Sequence, residues 1–214
     1  MFVCSLGLGL YTYFIPVFAQ RFGATYLDLG YIGTASALTY MFAPMLVGQL
    51  ADRVNQSRLF AVAIVINFAT TLTLAFSRSV SDIIALRAFG GIGLAFFWPI
   101  TEVMVLQLAP RQRRVREIGI YSVAWGSAFL IGPLLGGVVI QTYGFFDLFV
   151  ISSVLILAAL LGAMIVAPLR RIRTERKAIH VADQLHIMGQ LLPWYAMIVC
   201  YGIIFNTVTA IFPG

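Results

Sequence analysis

Seven long apolar segments restrict the fold of this chain more than any other feature of its sequence. Each is close to the roughly 20 residues that a helix needs to cross a hydrocarbon core about 30 Å thick. The runs are continuous, whereas the strands of a membrane barrel alternate apolar and polar residues over about ten positions. We therefore predict an all-α membrane protein, a polytopic helical bundle. Its predicted spans are residues 1–19, 27–50, 59–76, 83–108, 118–140, 148–169 and 193–212.

Composition argues against a soluble protein and against a nucleic-acid-binding protein. Hydrophobic residues make up 61% of the 214 residues and charged residues only 10%, which leaves too few polar side chains to cover a soluble surface. The net charge of +6 does not indicate nucleic acid, because the basic residues are confined to short joints between the spans. The predicted surroundings are a lipid bilayer.

The distribution of Lys and Arg predicts how the chain is oriented in the membrane. Three joints on one side hold eleven of the 14 basic residues, and the other side holds only Arg21 and Arg78. Because cytoplasmic joints are enriched in Lys and Arg, we predict that these three joints and the N-terminus are cytoplasmic and that the membrane is the cell membrane. The eleven are Arg53, Arg58, Arg111, Arg113, Arg114, Arg116, Arg170, Arg171, Arg173, Arg176 and Lys177.

Motifs for catalysis are missing from the sequence. Neither H-E-x-x-H nor G-x-S-x-G occurs, and the G-x-G pairs at Gly7 and Gly91 lack the third Gly and the strand of a nucleotide-binding fold. His180 and His186 have no Cys or carboxylate arrangement around them that is typical of a metal site. We predict that the protein is not an enzyme and has no cofactor and no metal.

Spans one to three resemble spans four to six. Spans one and four share F-I-P-V and F-W-P-I, beginning at Phe14 and Phe97. Because three crossings are an odd number, the second triplet must cross the membrane in the opposite sense, which predicts inverted three-helix repeats. Spans two and five share a Gly, a Pro fourteen positions later and a Gly four positions after it: Gly30, Pro44 and Gly48, and Gly119, Pro133 and Gly137.

Span seven looks like the first helix of a second six-span unit. Thr209 to Pro213 has the same spacing as Thr12 to Pro16 in span one. We predict a six-helix N-terminal half over 1–169, a cytoplasmic linker over 170–192, and over 193–214 the first helix of a truncated C-terminal half. The missing half is expected in the same chain. The alternative is a non-transporting half-protein.

The joint between spans two and three resembles the G-x-L-A-D-R-x-G-R-[KR] motif of the major facilitator superfamily. It reads G-Q-L-A-D-R-V-N-Q-S-R, with Asn55 at the second Gly and Arg58 one place late. Asn is the next-best residue for a left-handed backbone, so the resemblance predicts that the turn survives at Asn55. The resemblance also implies a latch between the two halves in the outward-facing state, formed by Gly48, Asp52, Arg53 and Arg58.

Two further motifs fit the same family. Arg87 and Gly91 match R-x-x-x-G in span four, and G-P-L-L-G-G in span five is similar to a signature of proton-coupled drug antiporters. The resemblance implies a twelve-helix secondary transporter that works by alternating access and exports small amphiphilic compounds against protons. Alternatives are a symporter or uniporter for sugars or organic anions. The antiporter-like residues are Gly132, Pro133, Gly136 and Gly137.

Small residues at steps of four along span five predict a close contact with another helix. Ala124, Ala128, Gly132 and Gly136 form one stripe that lets a neighbouring backbone approach. Pro133 removes a backbone donor and can bend the span. Helix packing and a gating role are both consistent with this pattern.

Arg87 and Glu102 are the two ionisable residues well inside a span. A charge there costs about 2.5–3.5 kcal/mol on insertion scales, so it usually faces a bundle interior or a water-filled cavity. Fifteen positions apart, they are separated by about 22 Å along a helix and cannot pair with each other. We predict that one of them helps to couple proton or substrate movement. The alternatives are an Arg87 that snorkels to the membrane surface and a Glu102 that pairs with the Arg cluster at 111–116.

Several aromatic residues are candidates for lining a cavity for an amphiphilic or cationic substrate. More often, aromatic residues in spans pack within the bundle or form an interfacial belt. The candidates carried forward are Tyr13, Tyr40, Trp98 and Trp125, from a wider set that includes Tyr11, Phe97 and Tyr121.

Overall fold

The computed structural model describes residues 1–51 and 54–166, with side chains for residues 1–43 and 54–164. This part of the chain is helical and contains no strand. The helices are α1 (Phe2–Thr12), α2 (Ile15–Gln20), α3 (Tyr26–Ala51), α4 (Gln56–Leu74), α5 (Val80–Leu108), α6 (Arg114–Thr142) and α7 (Phe145–Val166), with a short 3-10 turn over Arg111–Arg113. The first six predicted spans are therefore helical as far as the structure describes them, which for span six is residue 166. The predicted linker and seventh span lie outside the described residues.

Five helical stretches of the described chain are long and apolar enough to cross a membrane. They are Phe2–Gln20, Gln56–Leu74, Val80–Leu108, Arg111–Thr142 and Phe145–Met164. Helix α3 is not among them, although its 26 residues exceed the length that a hydrocarbon core requires. It carries Asp28, Thr34, Ser36 and Thr39, which lower its hydropathy. Together these helices make a multi-pass membrane bundle.

Span one is broken, which the sequence analysis did not predict. Helix α1 ends at Thr12 and α2 begins at Ile15, so that Tyr13 and Phe14 form a turn between them. Pro16 explains the break, because it has no N–H to donate to the Thr12 carbonyl and its ring crowds that same carbonyl. The Phe14 amide instead donates to the Tyr11 carbonyl at 2.9 Å.

Capping residues fix where two of the helices begin. The Ser79 hydroxyl accepts from the Asp82 amide at 3.2 Å, and the Asp82 carboxylate accepts from the Ser79 amide at 3.0 Å. Thr25 and Asp28 make the same reciprocal pair at the start of α3, at 3.3 and 2.8 Å. Such capping boxes satisfy amides that have no partner within a helix. Helices α3 and α5 therefore start within the polar joints, a few residues before their apolar runs.

Asn55 corrects the prediction of a left-handed turn between α3 and α4. Its backbone is extended, with φ −61° and ψ 122°, and its side chain accepts from the Ser57 amide at 3.1 Å. Asn is among the preferred residues for this N-cap position. The prediction for Asn55 was therefore wrong, because its side chain stabilises the start of α4 and the backbone needs no left-handed residue.

Gly144 makes the connection between α6 and α7 possible in only two residues. Its φ of 94° lies in the left-handed region that favours glycine, and its amide donates to the Val139 and Ile140 carbonyls at 3.2 and 3.1 Å. The carbonyl of Gly144 then accepts the first bond of α7, from the Leu148 amide at 3.2 Å. The two helices are thus antiparallel neighbours in the chain.

The order in which the helices pack supports the predicted inverted repeat. Moving from neighbour to neighbour through the most extensive contacts gives α3, α5, α4, α7, α1 and α6. The repeat pairs α1 with α5, α3 with α6, and α4 with α7. When each helix is replaced by its counterpart, the same order is obtained in reverse. The packing scheme therefore has the two-fold symmetry that inverted repeats require.

The apolar core lies among α1, α4, α5 and α7. Its largest fully buried side chains come from these helices and from α2: Leu8, Ile15, Ile64, Ile83, Phe97, Leu148, Phe149 and Ile156. Helix α6 contributes only Ala128, Gly132 and Gly136 to the buried set. It is thus attached to the bundle along one narrow stripe, and most of its apolar surface is exposed.

Candidate functional site

Four aromatic rings meet on one face of the bundle, and we call Tyr13, Trp98, Trp125 and Phe129 the aromatic cluster. Trp98 makes edge contacts with Trp125 at 5.5 Å between ring centroids and lies 6.2 Å from Phe129. Phe129 also contacts Trp125 at 6.3 Å and Tyr13 at 6.5 Å. The structure therefore brings together three residues that the sequence placed on three separate spans.

Local structure explains how each ring reaches this face. Tyr13 lies in the turn that Pro16 imposes on span one, Trp98 lies in α5, and Trp125 and Phe129 are one turn apart on α6. All four side chains are only partly buried, and Trp125 is 37% exposed. Rings in this state contact each other and still present surface to a ligand.

Phe129 is the member of the cluster that the sequence analysis missed. Its signal was available, because a residue four positions after Trp125 lies on the same helical face. The pattern could not indicate that this face of α6 is opposite Tyr13 and Trp98, which depends on how the helices pack.

An acidic group lies beside the aromatic cluster. Glu102 is exposed and is one turn from Trp98 along α5. The hydroxyls of Tyr40 on α3 and Tyr121 on α6 are within electrostatic range of its carboxylate. Glu102 makes no ion pair with the described arginines of 111–116. The carboxylate is therefore available to a ligand from this face.

Tyr121 is tied to α5 by a hydrogen bond between its hydroxyl and that of Thr101, at 3.2 Å. This bond joins two helices that otherwise touch little. Thr101 is buried and Tyr121 is partly buried, and Thr101 precedes the exposed Glu102 in the chain. We call Tyr40, Glu102 and Tyr121 the acidic cluster.

Arg87 lies apart from both clusters. Its Nε is buried and has no hydrogen-bond partner among the described residues. Its nearest titratable neighbour is Tyr11 of α1, which in turn is next to Thr71 of α4. The structure thus places the Arg87 Nε in a buried position near Tyr11 of α1, and does not bring Arg87 together with Glu102.

The small stripe of α6 lies directly against α1. A Cβ added at Gly132 would be 2.7 Å from the Gly9 carbonyl carbon, and one added at Gly136 would overlap the Leu10 carbonyl oxygen and approach Phe14 Cε2 at 2.8 Å. Gly137 has only an ordinary contact, 3.7 Å from Phe14 Cζ. The structure shows the predicted close approach, and Pro133 lies inside α6, which continues to Thr142.

Glycine also makes the equivalent crossing, between α5 and α3, a close one. A Cβ at Gly91 of α5 would be 2.7 Å from the Ser36 carbonyl oxygen and 3.0 Å from Thr39 Cβ, both on α3. A Cβ at Gly9 of α1 would be 3.1 Å from the Ala128 carbonyl oxygen on α6. Thr39 and Ala128 are separated by 89 positions, as are Gly30 and Gly119. Equivalent crossings of the two repeats are therefore both made close by glycine.

Of the four predicted latch residues, the structure describes only the first and the last, Gly48 and Arg58. Gly48 lies in the last turn of α3, and Arg58 lies exposed in the first turn of α4. Asp52 and Arg53 lie outside the described residues, so the latch stays a prediction.

Comparison with known proteins finds one matching family and several related proteins. Residues 1–214 match the Major Facilitator Superfamily. Over 164 residues the chain is 31% identical to an uncharacterized MFS-type transporter of Methanocaldococcus jannaschii, covering 76% of this chain and 42% of that protein. Over 137 residues it is 26% identical to the quinolone resistance protein NorA of Staphylococcus aureus, covering 64% of this chain and 35% of that protein.

A solved structure shares the fold. It is the crystal structure of a bacterial homolog of the human lysosomal transporter Spinster, in an inward-facing and unoccupied conformation. The match has a TM-score of 0.68 at 16% identity and covers 91% of this chain but 47% of that one. The chain thus spans less than half the length of each of these relatives.

Proposed function

The chain belongs to the major facilitator superfamily of transporters, and from this we propose that it forms the N-terminal part of a secondary transporter that exports small amphiphilic cations in exchange for protons. The observation that carries this proposal is the partly exposed aromatic cluster with Glu102 one turn away on the same face. The similarity to a quinolone resistance protein supports a role in drug export.

The proposed division of the chain follows the predicted one. Residues 1–169 form the six-helix N-terminal half, 170–192 a cytoplasmic linker, and 193–214 the first helix of the other half. The limited coverage of the relatives' length supports a partner half of similar size. In alternating access, the two halves rock about a site at their interface. The aromatic face then forms one wall of that site.

Aromatic rings and a carboxylate suit an amphiphilic cation. The faces of Trp98 and Trp125 attract a positive charge, and the ring edges and Phe129 provide apolar contact for the rest of the ligand. Glu102 supplies the only carboxylate near these rings in the described part of the chain. If one carboxylate binds either the proton or the substrate, the two are exchanged across the membrane.

We assign the coupling role to Glu102 rather than to Arg87. The Arg87 side chain interacts electrostatically with Tyr11 of α1 and has a buried Nε, whereas Glu102 is exposed one turn from Trp98. A cation there does not compete with a cationic substrate for a shared group. The same location disfavours an anion symporter that binds its substrate through Arg87 on the aromatic face.

The latch and the orientation complete the proposal. We propose that Asp52, which follows span two in the sequence, caps a helix N-terminus in the other half, a contact worth about 0.3–1 kcal/mol at an exposed site. The joints with Arg58 and Arg111–Arg113 are cytoplasmic, as is the N-terminus, in the cell membrane. Tyr40 and Tyr121 then lie toward the cytoplasmic half of the site.

Transport by the Glu102→Gln variant tests this proposal. The full-length protein is reconstituted into vesicles, and efflux of ethidium is followed after a pH gradient is imposed. We expect Glu102→Gln to abolish acceleration by the gradient, because the amide cannot exchange a proton. Glu117→Gln, at the first turn of α6 and outside the acidic cluster, is the matched control. Full transport by Glu102→Gln with an unchanged response to pH would contradict the proposal.

A further inference from the structure

The Thr101 hydroxyl has more oxygen neighbours than it has protons to donate. It lies 2.7 Å from the Phe97 carbonyl oxygen, 2.9 Å from the Trp98 carbonyl oxygen and 3.2 Å from the Tyr121 hydroxyl. Carbonyl oxygens only accept, whereas each hydroxyl has a single proton and can also accept. The direction of the Thr101 to Tyr121 bond can therefore be worked out.

The shorter contacts decide where the Thr101 proton goes. Thr side chains inside helices commonly donate to the carbonyls three or four positions earlier, and Phe97 and Trp98 occupy those positions. With its proton shared between these carbonyls, Thr101 can only accept from Tyr121. The Tyr121 hydroxyl therefore donates to Thr101 and has no proton left for a ligand.

This direction makes the polar end of the site rich in acceptors. The Tyr121 oxygen presents lone pairs, and the Glu102 carboxylate and the Tyr40 hydroxyl are within electrostatic range of it. Trp98 and Trp125 attract a positive charge whether or not it carries a proton. Tyr121 is different, because it gains a hydrogen bond only from a ligand that brings its own N–H.

We propose that Tyr121, fixed by Thr101, selects ammonium substrates that carry at least one N–H over quaternary ammonium ions of the same shape. This inference rests on the proposed function, since it assumes that the aromatic and acidic clusters bind a cation. Tyr121 is the specificity-determining residue that touches the substrate, and Thr101 is a positioning residue that acts through it.

Two matched probes test the selection. N,N-dimethyl-1-naphthylmethylamine, which is protonated at pH 7, and its N,N,N-trimethyl counterpart are titrated into the purified full-length protein, and the dissociation constants are measured calorimetrically. We expect the dimethyl probe to bind about tenfold more tightly, the size of one hydrogen bond to a charged donor. Tyr121→Phe should reduce this preference to the part that Glu102 alone provides, and should leave binding of the trimethyl probe within about twofold.

Variants of Thr101 separate positioning from packing. Thr101→Val keeps the shape but frees the Tyr121 proton to turn toward the site, so the preference should fall. Thr101→Ser keeps the hydroxyl and should restore it. Tyr143→Phe, exposed between α6 and α7, and Thr73→Val, whose hydroxyl also donates four positions back, are the controls. Both should leave the preference unchanged.

Each outcome either supports or overturns the inference. Equal weakening of both probes by Tyr121→Phe in a folded variant overturns it, as does wild-type binding of both probes with no preference. In these two cases the proposed function stands. Binding of neither probe to the wild-type protein overturns the proposed function, and the selection by Tyr121 with it.

Discussion

At Gly136 the backbones of α1 and α6 come so close that no side chain fits between them. The contact with the Leu10 carbonyl oxygen leaves no room for a methyl group. Gly126, three turns earlier on the same helix, faces open space. Gly136 and Gly126 therefore have different roles in packing, although glycine has the same intrinsic helix propensity at both positions.

Substituting these glycines gives opposite expectations for stability. Gly136→Ala should lower the free energy of unfolding by about 1–3 kcal/mol, because the added methyl forces α1 and α6 apart. Gly126→Ala should leave it unchanged or slightly higher, since alanine favours the helix. Thermal unfolding of the purified variants in detergent measures both. An unchanged unfolding temperature for Gly136→Ala would show that α1 and α6 are not in close contact.

Single residues also show how far the site could be predicted. Tyr13, Trp98 and Trp125 were identified from residue type, and they converge in the structure. Arg87 was grouped with Glu102 because both are charges within a span, yet they belong to different surroundings. Sequence spacing reveals which residues share a helical face, but not which other helix that face meets.

Among the helices, the break in span one positions the site most directly. Pro16 ends α1 at Thr12 and leaves Tyr13 in a turn that faces α6. Pro99 and Pro133 lie inside α5 and α6, which both continue past them. A proline in a span therefore does not by itself predict a break, and this one was not predicted.

Pro16→Ala should repair the break and disturb the site. Alanine supplies the missing N–H to the Thr12 carbonyl, so α1 and α2 should join and the unfolding temperature should rise. Tyr13 then turns away from Phe129, and the naphthylmethyl probes should bind several-fold more weakly, on the order of one aromatic contact of about 0.5–1.5 kcal/mol. Thermal unfolding and calorimetric titration measure the two effects.

Pro110→Ala is the control for this prediction, because Pro110 lies in the connection before Arg111–Arg113 and breaks no long helix. A Pro16→Ala variant that binds the probes like the wild type would show that Tyr13 does not need the turn.

Helix positions were predictable from hydropathy, and helix ends were less so. Helix α5 begins at Val80 and α6 at Arg114, ahead of predicted starts at 83 and 118. The reason is that capping residues and charged first turns belong to the helix without belonging to its apolar run. An apolar run therefore marks the part of a helix inside the membrane rather than the helix itself.

For the whole molecule, the two ends of the bundle differ sharply in charge. The connections between α3 and α4 and between α5 and α6 carry Arg58 and Arg111–Arg113, whereas the opposite connections carry few basic residues. Gln112 and Tyr143 are exposed positions at the two ends.

Labelling of single cysteines tests the orientation. Gln112→Cys and Tyr143→Cys are introduced into a protein in which Cys4 and Cys200 are replaced by serine, and intact cells are treated with a membrane-impermeant maleimide. We expect labelling at 143 and none at 112 until the cells are permeabilised, because positive joints are retained in the cytoplasm. Cysteine-free protein is the control for background. Labelling at 112 alone would reverse the proposed orientation.

Motifs and repeats within the chain predict different features of the whole molecule to different extents. Motifs and repeats were sufficient to identify the family and the inverted packing of six helices, because both depend on features inside residues 1–169. The proposed partner of Asp52 and the proposed second wall of the site are assigned to another half, so motifs within 1–169 do not predict them.

The two-fold symmetry of the helix packing has a consequence for the proposed direction of transport. In the proposed transporter, a bundle with two identical repeats would present the same structure to a solute from either side of the membrane. The direction of transport must then depend on residues that differ between the two repeats. Phe14 and Phe97 are equivalent positions of the two repeats, 83 residues apart. By the same offset, Trp98 corresponds to Ile15, and Glu102 corresponds to Ala19. The indole of Trp98 and the carboxylate of Glu102 thus occur in the second repeat and not at the equivalent positions of the first. We expect these two side chains to make the two sides of the symmetric bundle different for a substrate.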